Sequence, residues 1–142
     1  MDNSKKMTAV CGIYCAECEC HKAKDSEVLF KYLVNAGIKA ESLPCPGCRE
    51  GKGKCPPIKD ECLTYNCAQS KNVDFCFECA EFPCEKLNPS ADRATVLPHN
   101  LKVYNLCYIK NQGIEKFAED AAAIKNRYFK GKMAIGKGPQ VE

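Results

Sequence analysis

The sequence predicts a small domain, α-helical and irregular, stapled by metal through its cysteines, with two to three helices and little or no sheet. Three observations carry that expectation. The chain has 142 residues, a length that suits one domain. It holds 13 cysteines, about 9% of the chain and near the level of scaffolds held by crosslinks. Leu, Ile, Val and Phe together number only 28, about a fifth of the residues and low for a globular core. Charge is balanced, with 21 Lys+Arg against 18 Asp+Glu, so disorder throughout is not the natural reading. The cysteines are therefore expected to carry stability that the apolar residues do not.

Taken in order, residues 1–8 read as a loose polar leader. Cys11 to His21 read as a compact metal-binding turn. Asp25 or Ser26 is placed to cap a helix through Ala36, whose face is Leu29, Phe30, Leu33 and Val34 and whose stop is Gly37. Residues 43–67 read as loop, because Pro44, Pro46, Pro56 and Pro57 break regular structure there. Residues 75–84 form a second cysteine turn, with Phe75, Phe77 and Phe82 to pack beneath it. Asn88 to Asn100 is polar and broken by Pro89 and Pro98. Leu101, Tyr104 and Ile109 suggest a helix ending near Gly113. Ile114, Phe117, Ala118, Ala121, Ile124 and Tyr128 recur at helical spacing and predict a last helix over about 114–130. The resulting organisation is one domain: a cysteine-rich region over 8–90 with one helix, a helical segment over 91–131 packed on it, and a disordered tail over 132–142.

No apolar run approaches the roughly 18–20 residues of a membrane span, and the start, from Met1 to Met7, has no apolar stretch of signal-peptide length. A membrane protein is excluded on this reading, and a cytoplasmic location is expected. Dense disulfides are uncommon in a reducing compartment, and an odd number of cysteines fits a complete disulfide set poorly. Spacing argues further for metal. Cys15-Ala16-Glu17-Cys18, Cys45-Pro46-Gly47-Cys48 and Cys76-Phe77-Glu78-Cys79 each have the two-residue gap that lets both sulfurs face one ion. Zinc takes four such ligands in a tetrahedron at ~2.3 Å.

Together these motifs resemble a prokaryotic, cysteine-rich domain-of-unknown-function family that is generally regarded as zinc-binding. The resemblance rests on Cys11-Gly12-Ile13-Tyr14-Cys15-x-x-Cys18, Cys45-Pro46-Gly47-Cys48, Cys55-Pro56 with Cys62, Cys67-Ala68, and Phe75-Cys76-x-Glu78-Cys79-x-Glu81-Phe82-Pro83-Cys84. Asn100-Leu101 looks like the family's closing helical segment, so the match runs from about 8 to 115. The resemblance implies metal binding through Cys11, Cys15, Cys18, Cys45, Cys48, Cys55, Cys62, Cys67, Cys76, Cys79 and Cys84, and it supplies no reaction. Cys20, His21 and Cys107 fall outside the pattern.

Two or three zinc ions are expected. The preferred local set is Cys67, Cys76, Cys79 and Cys84, and the preferred long-range set joins Cys15 and Cys18 to Cys45 and Cys48. Cys11, Cys55 and Cys62 complete a further site or lie free, with His21, Cys20 or Cys107 as a twelfth ligand. Cys107 is expected to be a small buried residue on a helix face. Cys11-x3-Cys15-x2-Cys18 also has the spacing of the cluster loop in radical S-adenosylmethionine enzymes, but the chain is too short to enclose their barrel. An iron–sulfur [4Fe–4S] protein that carries electrons or senses redox state is the second reading, since thiolates hold such clusters equally well.

The role expected is a cytosolic zinc-binding module contacting a protein partner, with closed structural sites and no catalytic residues. There is no His-Glu-x-x-His pattern, and a catalytic zinc keeps an open position with mixed ligands. His99, after Pro98, reads as an exposed loop residue. A weak nucleic-acid binder using Arg49, Lys52 and Lys54 is the third reading. The formal charge is +3, but each four-cysteinate zinc contributes two net negative charges. Two sites therefore reverse the sign, and nucleic acid is not an expected partner.

Overall fold

The computed structural model describes residues 2–58, 61–87, 100–134, 136 and 138–141. Among them are six α-helices and one two-stranded hairpin, more helices than the two to three expected. The helices are α1 (Asn3–Lys6), α2 (Glu19–Lys22), α3 (Glu27–Asn35), α4 (Leu63–Ser70), α5 (Leu101–Gln112) and α6 (Ile114–Lys130). Two of the additions, α1 and α2, are single turns of four residues, too short to leave a periodic pattern in sequence.

The expected first helix is α3. Ser26 caps it, accepting a hydrogen bond from the Leu29 amide at 3.2 Å, as short hydroxyl side chains do for orphan helix donors. At its end Gly37 lies at φ +103°. Its amide donates to the Val34 carbonyl and that of Ile38 to the Leu33 carbonyl, both at 3.0 Å. This is the paired closure that a left-handed residue after a helix permits. The unexpected α4 lies largely within the stretch read as loop. A sulfur caps it: the Cys62 thiol accepts from the Tyr65 amide at 3.5 Å. Asn72, at φ +53°, ends it with the same closure as Gly37, the Val73 amide reaching the Ala68 carbonyl at 3.1 Å.

Asn100 caps α5 through the Val103 amide at 3.2 Å, and Gly113 turns the chain directly into α6. The main core is built on this pair. Leu101, Leu106 and Ile109 of α5 meet Phe117, Ala121, Ile124 and Tyr128 of α6, and Phe75 and Leu87 join from the cysteine region. Phe77 stacks on Phe75 with ring centroids 5.6 Å apart, and Phe82 packs against the same core. A smaller core of Cys20, Ala23, Leu33, Leu43 and Cys45 lies under α3.

Both ends of the chain depart from expectation. The leader is not loose: α1 leads into Thr8, Ala9 and Val10, all buried, and the Thr8 hydroxyl donates to the Ser4 carbonyl at 2.7 Å. The tail read as disordered forms β1 (Lys132–Ala134) and β2 (Gly138–Gln140), an antiparallel pair in which Lys132 faces Gln140. Two-residue periodicity over three-residue strands is too brief to read in sequence. Pro89, Pro98 and His99 lie outside the described residues.

Three polar ties hold the N-terminal turn to the rest. Asn105 donates to the Gly12 carbonyl at 2.9 Å. Gly12 itself lies at φ +92°, and a Cβ there would meet Leu106 and the Lys102 carbonyl at 3.0 Å, so only glycine permits that approach. Arg49 is a clamp. Its Nε donates to the carbonyls of Lys5 at 2.9 Å and Thr8 at 2.7 Å, its Nη2 to that of Asp74 at 2.7 Å, and its guanidinium lies over Phe75. Lys125 of α6 donates to the Glu17 carbonyl and, at 2.8 Å, to Glu19.

Candidate metal centre

Twelve of the thirteen cysteines line two cavities, and all thirteen are free thiols. The smaller cavity, about 70 Å³, is lined by Cys67, Cys76, Cys79 and Cys84. The local sequence explains the gathering. Cys67 lies on α4, the Asn72 closure returns the chain, and the Cys76 and Cys79 knuckle follows. The Cys76 amide donates to the Val10 carbonyl at 2.9 Å, which fixes the knuckle against the N-terminal turn. The Cys79 thiol accepts from the Glu81 amide and from Lys71 Nζ, each at 3.4 Å. Lys71 also pairs with Glu81, and Lys86 with Glu85, so both carboxylates at this cavity face a lysine. Burial pushes the Cys76 thiol up to about 12, and the neighbouring Cys11, Cys84, Cys67 and Cys79 add to the shift.

The larger cavity, about 550 Å³, is lined by eight cysteines: Cys11, Cys15, Cys18, Cys20, Cys45, Cys48, Cys55 and Cys62. They come from the turn after α1, from α2, from the Cys45–Cys48 knuckle, and from the segment leading into α4. The Cys45 amide donates to the Cys20 carbonyl at 2.9 Å, which brings the knuckle over α2. Backbone amides point at three of the sulfurs: Cys48 at Cys15 Sγ (3.4 Å), Gly47 at Cys45 Sγ (3.5 Å) and Tyr65 at Cys62 Sγ (3.5 Å).

The thiols are not equivalent. A hydrogen bond between Cys15 and Cys48 pulls Cys15 down and pushes Cys48 up. The same relation between Cys18 and Cys20 pulls Cys18 down to about 6 and raises Cys20. Burial pushes Cys55 up to about 12. Burial also raises Cys11, opposed by the Lys102 ammonium. That lysine is only 7% exposed and lines the same cavity. Within each pair, Cys15 and Cys18 are thus the sulfurs inclined toward the thiolate form.

Cys20 and His21, outside the family pattern, border the larger cavity with the rest. His21 is engaged on both ring nitrogens. Nδ1 meets the Cys45 carbonyl at 2.7 Å and Nε2 meets Lys24 Nζ at 3.1 Å. A carbonyl only accepts and an ammonium only donates, so the proton sits on Nδ1. Cys107 is exposed on α5, a correction to its expected burial. The apolar face of α5 runs through Leu101, Leu106 and Ile109, and position 107 falls on the other side. No three His, Cys, Asp or Glu side chains among the described residues converge as a ready-made metal site. The thiols stand around the cavity walls, and the donor set is almost wholly soft sulfur, which suits zinc and iron–sulfur centres.

A family model described as a protein of unknown function (DUF3795) matches residues 7–89, more than half of the chain. The matched segment includes all twelve cavity cysteines and stops before α5. The resemblance expected to extend to Asn100-Leu101 therefore ends earlier, and the α5–α6 pair is outside it. No curated protein matches the chain, and no solved structure does. No helix among the described residues is long and apolar enough to cross a membrane.

Proposed function

The chain belongs to the DUF3795 family, and from its own residues we propose that it is a cytoplasmic metal–thiolate protein whose zinc is structural and which serves as a protein-contact module. The observation that carries this reading is the partition of twelve cysteines between two cavities, with Cys67, Cys76, Cys79 and Cys84 alone around the smaller one. Those four would hold one zinc ion, with Lys71 and the Glu81 amide donating to the Cys79 sulfur as outer support. Closed tetrahedral sulfur supplies folding free energy when the ion binds. Val28 and Tyr32, 81% and 67% exposed on α3, offer the apolar surface for a protein partner.

Arg49 spends its guanidinium on three backbone carbonyls. That leaves Lys52 and Lys54 as the basic groups of its loop and disfavours phosphate binding there. The test is elemental analysis of the purified chain and of Cys79→Ser. Zinc bound to the parent and about one equivalent fewer in the variant is expected. A parent that carries no metal would overturn the reading.

A further inference from the structure

We infer that the two cysteine cavities take different centres: one zinc ion in the smaller and a polynuclear, sulfide-bridged iron centre in the larger. This rests on the metal–thiolate reading above and deepens it.

The contrast in volume is the starting point. The four-thiol cavity measures about 70 Å³ and the eight-thiol cavity about 550 Å³. A tetrahedral zinc draws four sulfurs to ~2.3 Å and leaves no interior to fill. The larger cavity instead falls within the roughly 300–1,000 Å³ of small-molecule and cofactor sites. An iron–sulfur centre needs interior room that a single zinc does not, because inorganic sulfide as well as the irons must be housed. Each iron at a corner of the cluster takes its own cysteine, so the ligands stand around a cavity rather than meeting at a point.

Ligand supply agrees. Eight thiols from separate chain segments surround the larger space, more than the four that a [4Fe–4S] cluster takes, and His21 has both nitrogens engaged elsewhere. The shell agrees as well. Ala9 and Val10, both buried, and Ile13 give the wall an apolar lining, and three sulfurs accept backbone amides. Burial and hydrogen bonds to sulfur are the levers by which proteins stabilise and tune iron–sulfur centres. The cation is placed accordingly. Lys102, 7% exposed, borders this cavity and not the smaller one, where its ammonium offsets the negative charge of a thiolate-bound cluster.

The experiment is metal and sulfide analysis of the full chain, expressed with iron and zinc both supplied and purified without oxygen, alongside Cys48→Ser and Cys79→Ser. The expected parent is brown, carries iron and acid-labile sulfide in matching amounts, and carries about one zinc. Cys48→Ser should lose most of the iron, sulfide and visible absorption and keep its zinc. Cys79→Ser should lose the zinc and keep the colour. Should either variant prove insoluble, the parent alone decides. A colourless parent holding two or three zinc and no sulfide overturns this inference and leaves the metal–thiolate reading standing. A parent holding neither metal overturns both.

Discussion

In α5 and α6, seven apolar side chains from Leu101 to Tyr128 interlock in one core. Under α3, the second core has five members, and two of them, Cys20 and Cys45, also line the larger thiol cavity. One region is held by side chains that exclude water. The other keeps much of its interior for sulfur. A chain with about a fifth of its residues as Leu, Ile, Val and Phe has too few for two full cores, and it concentrates them at one end. The difference teaches that the cysteine region's fold and its proposed metals are one problem, whereas the helical pair depends on metal only through the residues it shares with its neighbour.

The largest expected effect comes from Cys79→Ser. Structural zinc contributes on the order of 10 kcal/mol to small domains, comparable to the about 5–15 kcal/mol by which a whole domain is stable. The variant should lose zinc and the folded structure around residues 67–84, seen as insolubility or as loss of the near-ultraviolet signal of Phe75 and Phe77. Retained zinc with an unchanged spectrum would break the comparison. In the helical pair, Phe117→Ala removes a fully buried ring and should cost about 3–5 kcal/mol in urea unfolding, without loss of metal. Arg49→Gln removes three charge-assisted bonds that tie α1 and the Asp74 strap together. It should cost about 2–3 kcal/mol, again with metal content kept.

A smaller effect is the pH dependence, and its sign differs with and without metal. The Cys55 and Cys76 thiols rise from an ordinary 9.0 to about 12. In the metal-free chain a raised thiol stabilises the fold fully below about 9, and this is lost as pH rises toward about 12. Metal must displace those protons, so apparent zinc affinity should instead rise with pH and fall in acid. Competition against a chromophoric chelator at two pH values checks this. The smallest effect is Cys107→Ala, within about 0.5 kcal/mol for an exposed position, with no change in metal.

Periodicity and capping made α3, α5 and α6 legible in sequence. Ser26 and Gly37 mark the ends of α3, and the 117, 121, 124, 128 spacing marks the buried face of α6. The helix α4 was not legible, because its cap is the Cys62 thiol and its stop is Asn72, and Pro56 and Pro57 just upstream spoke for loop. The single turns α1 and α2 and the closing hairpin were too short for any period to register. At the candidate site, the local group of Cys67, Cys76, Cys79 and Cys84 followed from close spacing. The larger cavity was legible only in part: Cys15 and Cys18 were expected with Cys45 and Cys48, and all four line it, but that Cys11, Cys20, Cys55 and Cys62 line the same space did not follow, because its eight cysteines come from segments up to 51 residues apart, Cys11 to Cys62. Cys20 had no signal beyond lying beside Cys18. Cys107 was misplaced because a helix's buried face is fixed by its neighbours, here Leu106 and Ile109 packing on Phe117.

Hydrogen exchange on the metal-loaded chain, before and after removal of metal by a strong chelator, tests most directly whether sulfur-bound metal stands in for an apolar core between residues 8 and 87. The expected result is loss of amide protection in α2, α3 and α4 once elemental analysis shows the metal gone, with protection kept through α5 and α6. Unchanged protection in α2, α3 and α4 after complete metal removal would contradict it.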